Sequence, residues 1–277
     1  MINKITFTLL LLLSTLTTIH AEEIETFGNI SYEKATNISG KQRMLSQRIA
    51  KVYLIRLAGG HSPELSAEFN SSIQLFTRNL SILESNSKDS SSKVKASIKK
   101  EKSQWELFKK KLRDDKTTVD EVINVSNELL QKAHSLVLAI QEESKYNNEI
   151  SNDTSDNQLK VETVNLSGKQ RMLSQRLCLY YTACRLFRRD HKNTGNLCHE
   201  VEDIYEQMNK SLNSLLINDL NSFGIEANIG KILGVFNEIE DHKKDFKNNK
   251  IPLTKMITMT NSITNMYNIV TGQYASL

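Results

Sequence analysis

The stretch NISGKQRMLSQRI at residues 37–49 returns at residues 165–177 as NLSGKQRMLSQRL. The two copies lie 128 residues apart, agree at 11 of 13 positions, and differ only by exchanges of isoleucine for leucine. A long, nearly identical repeat inside one chain indicates two similar structural units that follow each other. We therefore interpret the chain as two related halves that share this stretch.

The composition favours a helical protein. The chain has 277 residues, which is enough for two ordinary domains, and it contains only two prolines and ten glycines. So few helix breakers favour long helices over a turn-rich β fold. The net charge is only +4, and the basic residues are dispersed along the chain and mixed with acidic ones. Because they form no basic strip that is rich in aromatic residues, we expect no nucleic-acid partner.

Residues 1–21 have the pattern of a secretory signal peptide. Lys4 precedes an apolar run at residues 7–16, and Ala21 is a suitable last residue before cleavage. An uncleaved anchor is the weaker alternative, because a spanning helix needs roughly 20 apolar residues. No second run of that length follows. We therefore expect an exported, periplasmic protein.

Apolar residues recur at steps of three and four in four successive segments of each half. The first helices are predicted at about residues 27–58 and 158–189, and the third helix of the second half at about residues 227–247. Short turns between amphipathic helices favour antiparallel neighbours. The predicted fold is all-α, with two tandem antiparallel four-helix bundles at residues 22–146 and 158–277 and a linker at residues 147–157. The long first helices pack either within one chain, as an intramolecular pseudo-dimer, or between the chains of a homodimer.

The three cysteines all lie in the second half of the chain. Cys184 and Cys198 flank a predicted turn at residues 191–196, so they are candidates for a disulfide across a helical hairpin. Cys178 would then remain free. The alternative is that all three are small buried residues.

Each copy of the repeat, placed on a helix, gathers small residues around one arginine on a single stripe. The stripe and its immediate neighbours comprise Ser39, Gly40, Arg43, Ser46 and Gln47 in the first copy, and Ser167, Gly168, Arg171, Ser174 and Gln175 in the second. The second arginines of the motif, Arg48 and Arg176, lie at the edge of the opposite side.

If the first helices pack on each other, Arg43 and Arg171 meet near a pseudo-two-fold axis. Two guanidinium groups in a half-dry interface repel each other and are costly to desolvate. A small oxyanion between them would relieve the repulsion, because a guanidinium can pair two oxygens at once. We expect the serine and glutamine side chains of the stripe to complete this site. The alternative is a packing seam whose arginines pair with carboxylates.

No catalytic set of residues stands out, and the histidines lack a metal-binding spacing. We therefore predict no enzyme activity, no cofactor and no metal.

The segments NISGKQRMLSQRIAK and NLSGKQRMLSQRL resemble the signature of the PilJ-type sensor domain, the N-terminal domain of type IV pilus methyl-accepting transducers. They are also similar to the Gly–x–x–Arg–Met–x–Ser–x–Arg motif, or box, in the first helix of the sensor domain of nitrate/nitrite sensor kinases. The resemblance implies an antiparallel four-helix bundle. The resemblance to the nitrate/nitrite sensors further implies a bound anion. The first arginine of the box would hold this anion between the first helices of two subunits. Those positions are Arg43 and Arg171 here, with Gly40 and Gly168 as the glycines.

Receptors of these types have a second spanning helix and a cytoplasmic output module, and we expect this chain to lack both. The leading hypothesis is an exported sensor-type protein that binds a nitrate-like or nitrite-like oxyanion and signals to a separate membrane receptor or transducer. The alternative is a non-sensing helical interaction module that docks on a pilus or chemoreceptor complex.

Overall fold

The computed structural model describes residues 26–150 and 155–277, without the side chains of residues 148–150 and 155–158. The predicted signal peptide lies outside this part. The helices of the first half are α1 (Tyr32–Leu57), α2 (Pro63–Asn86), α3 (Ser92–Leu112) and α4 (Val119–Ile150). The helices of the second half are α5 (Ser155–Arg189), α6 (Leu197–Leu216), α7 (Phe223–Asp241), α8 (Lys243–Lys247) and α9 (Leu253–Tyr274). The described residues form no β-strand, so the all-α prediction is confirmed.

Serine side chains define the start of several helices. The side chains of Ser31, Ser62, Ser91 and Ser222 accept hydrogen bonds from backbone N–H groups in the first turns of α1, α2, α3 and α7. A serine at this position satisfies a donor that has no partner within the helix. Proline begins α2, where its missing N–H costs no hydrogen bond.

The helices of each half pack as a bundle, and the two bundles share one central contact. In the first half α1 packs on α2 and α4, and α3 packs on α4. In the second half α5 packs on α6 and α9, and α7 packs on α9. The most extensive contact in the described part joins α1 to α5. The first helices of the two halves therefore pair within one chain, as in the pseudo-dimer alternative.

Several helix boundaries differ from the sequence prediction. Helix α4 continues to Ile150 and α5 begins at Ser155, so both helices enter the segment predicted as a linker, which contains no proline or glycine to stop them. Residues 151–154 are outside the described part. Helix α7 begins and ends earlier than predicted, because Ser222 caps it and the backbone turns at His242. The boundaries of the two domains stay a prediction.

The sulfur atoms of Cys184 and Cys198 are bonded, which joins the end of α5 to the start of α6. The bonded residues are separated by 14 positions and enclose the turn in which His191 and Gly195 have positive φ angles. Cys178 is free and buried. Among the described helices, none combines the length and the apolar character needed to cross a membrane.

Candidate functional site

The contact between α1 and α5 brings the two first arginines of the repeat together. Arg43 is 2% exposed and Arg171 is fully buried. The Nη2 atoms of Arg171 and Arg43 lie 3.3 and 3.4 Å from the point that a Cβ on Gly40 would occupy. Both atoms also lie close to the corresponding point on Gly168, at 3.0 Å for Arg171 and 3.7 Å for Arg43. The guanidinium groups therefore share the small space that these two glycines leave open.

An asparagine from the opposite half holds each arginine. Nη2 of Arg43 donates a hydrogen bond of 2.8 Å to Oδ1 of Asn165. Nη1 of Arg171 donates one of 2.9 Å to Oδ1 of Asn37. The two asparagines are the first residues of the two repeat copies, so the arrangement has the expected pseudo-two-fold symmetry.

Each arginine also contacts a residue in the fourth helix of its own half. Nη1 of Arg43 lies 3.4 Å from Nδ1 of His134 in α4. Nη1 of Arg171 donates a hydrogen bond of 3.3 Å to Oδ1 of Asn268 in α9. His134 and Asn268 are equivalent when the fourth helices are superimposed with a shift of 134 residues. The two positions are therefore related by the pseudo-symmetry, but one carries a histidine and the other an asparagine.

The positive charge of this pair has no carboxylate partner among the described side chains. Within the described ranges, no acidic side chain forms an ion pair with Arg43 or Arg171. The Nε atoms of both arginines and Nη2 of Arg171 have no hydrogen-bond partner there. Burial lowers the pKa of Arg43 to about 10. Burial, followed by the charges of Arg43 and Arg48, lowers the pKa of Arg171 to about 9. Both effects reflect the cost of a cation in a dry site.

The second arginines of the motif have different surroundings. Nε of Arg48 lies 3.6 Å from Glu68, and Nη2 of Arg176 lies 3.8 Å from Glu200. Arg176 also donates a hydrogen bond of 3.3 Å to Oε1 of Gln47. These arginines therefore link neighbouring helices and have acidic residues nearby.

The polar side chains of the predicted stripe are buried in the same region but bond elsewhere. The four serine hydroxyls donate to backbone carbonyls of their own helices: Ser39 to Thr36, Ser46 to Arg43, Ser167 to Val164 and Ser174 to Arg171. Gln47 donates to the backbone of Ser126, and Gln175 donates to Thr264. Their role as ligands stays a prediction, and the two glutamine hydrogen bonds join neighbouring helices.

The residues that do contact the arginines were missed in the sequence analysis. Asn37 and Asn165 had a visible signal, because they belong to the repeated stretch. His134 and Asn268 had a weaker one, the alignment of the fourth helices.

A cleft of about 430 Å³ lies beside this site, between α4 and α5. Asn165, Gln141 and Lys169 contribute to its lining. Nδ2 of Asn165 donates a hydrogen bond of 2.9 Å to Oε1 of Gln141, while Oδ1 of the same residue accepts from Arg43. Asn165 therefore connects the cleft to the buried guanidinium groups.

In the part of the chain with described coordinates, no group of three His, Cys, Asp or Glu residues could hold a metal ion.

Comparison with known families gives a match to the first half of the chain. Residues 31–137 match the model of the type IV pili methyl-accepting chemotaxis transducer N-terminal family, PilJ. Residues 31–137 are therefore a PilJ-type segment in the first half of the chain. The PilJ match covers α1 to α3 and most of α4, including Arg43 and His134. PilJ is a sensory domain family of chemoreceptors and not a catalytic one, and its members typically form periplasmic sensor regions. No curated protein and no solved structure matched the chain.

Proposed function

We propose that this protein is an exported sensor-type protein that binds a small oxyanion between Arg43 and Arg171 and signals to a separate membrane receptor or transducer. The observation that carries the proposal is the pair of buried guanidinium groups that face the same space without a carboxylate partner in the described part of the chain. The PilJ domain supports a sensory role in chemoreceptor signalling. The predicted signal peptide at residues 1–21 supports export.

The geometry favours a small, planar, singly charged anion. Nε of both arginines and Nη2 of Arg171 are donors without partners in the described part, and guanidinium donors match the oxygens of a planar oxyanion. The glycines at positions 40 and 168 let both guanidinium groups approach the helix backbones, which brings the donors of the two arginines together. Nitrate and nitrite fit these requirements, and the resemblance of the repeat to the nitrate/nitrite sensor box points to the same class of ligand.

The anion would act through the packing of α1 on α5. Two like charges in this contact oppose close packing, and an anion between them removes that opposition. A ligand shifts a conformational equilibrium only by its different affinity for the two states. An arrangement with the two arginines close together would bind the anion more tightly than one with the arginines farther apart. Binding would therefore stabilise the close packing of α1 on α5.

The test is thermal unfolding and isothermal titration calorimetry with sodium nitrate and sodium nitrite. Sodium chloride at equal ionic strength controls for general screening. We expect saturable stabilisation by an oxyanion in the natural protein and none in the Arg43→Ala, Arg171→Ala double variant. Arg78→Ala removes an exposed arginine from α2 and should leave the response intact. The proposal fails if neither oxyanion stabilises the protein, or if the double variant responds like the natural protein.

One observation favours the alternative of a non-sensing interaction module. Ile217 and Phe223 are 83% and 88% exposed at the turn between α6 and α7, where they offer an apolar surface to a pilus or chemoreceptor component. Under this alternative, a partner would bind independently of anions. The Ile217→Ser, Phe223→Ser double variant would lose the partner while its thermal stability stayed unchanged.

A further inference from the structure

The pseudo-symmetry of the arginine site is broken at one titratable residue. His134 contacts Arg43 where the equivalent contact to Arg171 is made by Asn268. We propose that His134 couples oxyanion binding to proton uptake, so that the affinity for the anion rises as the pH falls. This inference rests on the proposed function, because it concerns the same site.

The contact between Arg43 and His134 requires a neutral imidazole. Nδ1 of His134 lies 3.4 Å from Nη1 of Arg43, and a guanidinium can only donate. The imidazole accepts this hydrogen bond through an unprotonated Nδ1. With Nε2 already carrying the proton of the neutral imidazole, a second proton on Nδ1 would remove the acceptor and place two cations next to each other.

The surroundings of His134 oppose its protonation as long as the site holds no negative charge. Burial lowers the pKa of its imidazole, and the charges of Arg43 from α1 and Lys169 from α5 lower it further. His134 is nevertheless an exposed residue, whereas Arg43 is buried. The imidazole can therefore exchange protons with solvent while it senses the charge of the buried site.

An anion between the arginines would reverse the electrostatic balance. One negative charge offsets part of the field of Arg43 and Arg171, so the pKa of His134 rises on binding. The bound state then holds more protons than the free state at a pH between the two pKa values. By linkage, affinity rises as the pH falls through this range, by at most about tenfold for each pH unit when one proton is taken up.

The asymmetry limits the effect to one side of the site. Asn268 occupies the equivalent position beside Arg171 and has no group that titrates. We therefore expect at most one proton for each bound anion. The variant His134→Asn gives both halves the same residue and serves as the matched test.

The experiment is calorimetric titration with sodium nitrate from about pH 5 to about pH 8, in pairs of buffers that differ in ionisation enthalpy. Nitrate does not titrate in this range, so any proton taken up belongs to the protein. We expect the natural protein to take up a fraction of a proton with each nitrate and to bind more weakly as the pH rises. We expect His134→Asn to bind nitrate without proton uptake and with a nearly constant affinity. Asn268→His should add a second uptake.

A measurement on the natural protein covers the case in which the variant does not fold. Proton NMR of the histidine side chains should show one imidazole whose pKa rises when nitrate is added. Nitrate binding without proton uptake, or equal uptake in His134→Asn, overturns the proton linkage and leaves oxyanion binding in place. If nitrate and nitrite both fail to bind across the whole pH range, the proposed function fails, and the linkage with it.

Discussion

Oδ1 of Asn165 accepts a hydrogen bond of 2.8 Å from Nη2 of Arg43, although the two residues belong to different halves of the chain. The reciprocal bond runs from Arg171 to Asn37 over 2.9 Å. Each half therefore holds the arginine of the other. A displacement of either arginine changes a hydrogen bond to the opposite bundle, so the candidate site and the contact between the bundles cannot change independently.

Replacement of Arg171 by methionine should stabilise the protein in a buffer without oxyanions. The change removes a buried cation that has no acidic partner in the described part and that faces a second cation. Replacement of a whole buried ion pair by apolar residues of similar volume is often neutral or stabilising by about 1–4 kcal/mol, and a buried cation without an acidic partner has less attraction to lose. Urea unfolding measures the difference. Arg176→Met is the comparison variant and should lower stability, because Arg176 bonds to Gln47 and Tyr180. Equal losses in both variants would contradict a net cost of burying Arg171 without an acidic partner.

Replacement of Gly168 by alanine should separate stability from anion binding. The new Cβ would lie 3.0 Å from Nη2 of Arg171, so the guanidinium has to move by a few tenths of an ångström. Alanine favours a helix over glycine by about 1 kcal/mol, which offsets the cost of this movement. We expect an unchanged or higher unfolding temperature together with an oxyanion affinity lowered by about tenfold, which corresponds to about 1.4 kcal/mol.

Gly234→Ala in α7 is the control for this substitution, since a Cβ there meets no neighbouring atom within 4 Å. It should raise the unfolding temperature without any effect on the oxyanion affinity. If Gly168→Ala binds the oxyanion as tightly as the natural protein, the glycine does not determine the position of the guanidinium.

Glu101 should make the stability of the first bundle depend on pH. Its carboxyl group in α3 is fully buried, its two oxygens have no hydrogen-bond partner among the described residues, and burial raises its pKa to about 8. The folded state therefore holds a proton that the unfolded state has lost between about pH 4.5 and about pH 8. Stability falls as the pH rises through this range, by about 1.4 kcal/mol for each pH unit at most.

The variant Glu101→Gln tests this dependence, because glutamine keeps the shape of the protonated acid and does not titrate. We expect the stability difference between variant and natural protein, from urea unfolding, to grow in favour of the variant as the pH rises. Glu106→Gln changes an exposed residue of the same helix and should give a nearly constant difference. A constant difference for Glu101→Gln would show that its carboxyl group is ionised in the folded protein at neutral pH.

Loss of the bond between Cys184 and Cys198 should destabilise the second bundle without weakening the oxyanion site. The bonded residues are 14 positions apart, and a cross-link that closes a loop of this length contributes about 3 kcal/mol. Arg171 lies several helical turns away from Cys184 along α5. Unfolding of Cys184→Ser, Cys198→Ser should show the loss, while calorimetry should show unchanged oxyanion affinity. A parallel loss of affinity would mean that the turn and the site are coupled.

Much of the fold was predictable because periodicity and repetition are properties of the local sequence. The stripe around Arg43 and Arg171 predicted which faces of α1 and α5 meet, and the small residues allowed a close contact. The linker at residues 147–157 was predicted from its polar composition. Polar residues alone do not end a helix when proline and glycine are absent, so α4 and α5 extend into it.

The composition of the candidate site was less predictable. Ser46 and Ser174 face the same contact as the arginines, but each hydroxyl donates to a carbonyl three residues earlier in its own helix. Helical spacing gives the direction of a side chain and not its hydrogen-bond partner. The contribution of His134 depends on how α4 is rotated against α1, which only the packing of the whole bundle determines.

The pairing of α1 with α5 inside one polypeptide has a consequence for how the two arginines are brought together. A site built between separate subunits comes apart when the protein is diluted below the dissociation constant of the dimer. Here the two halves are tethered, so their effective concentration is set by the chain and not by the number of molecules in solution. The arginine pair should persist at any protein concentration, including that of a scarce protein.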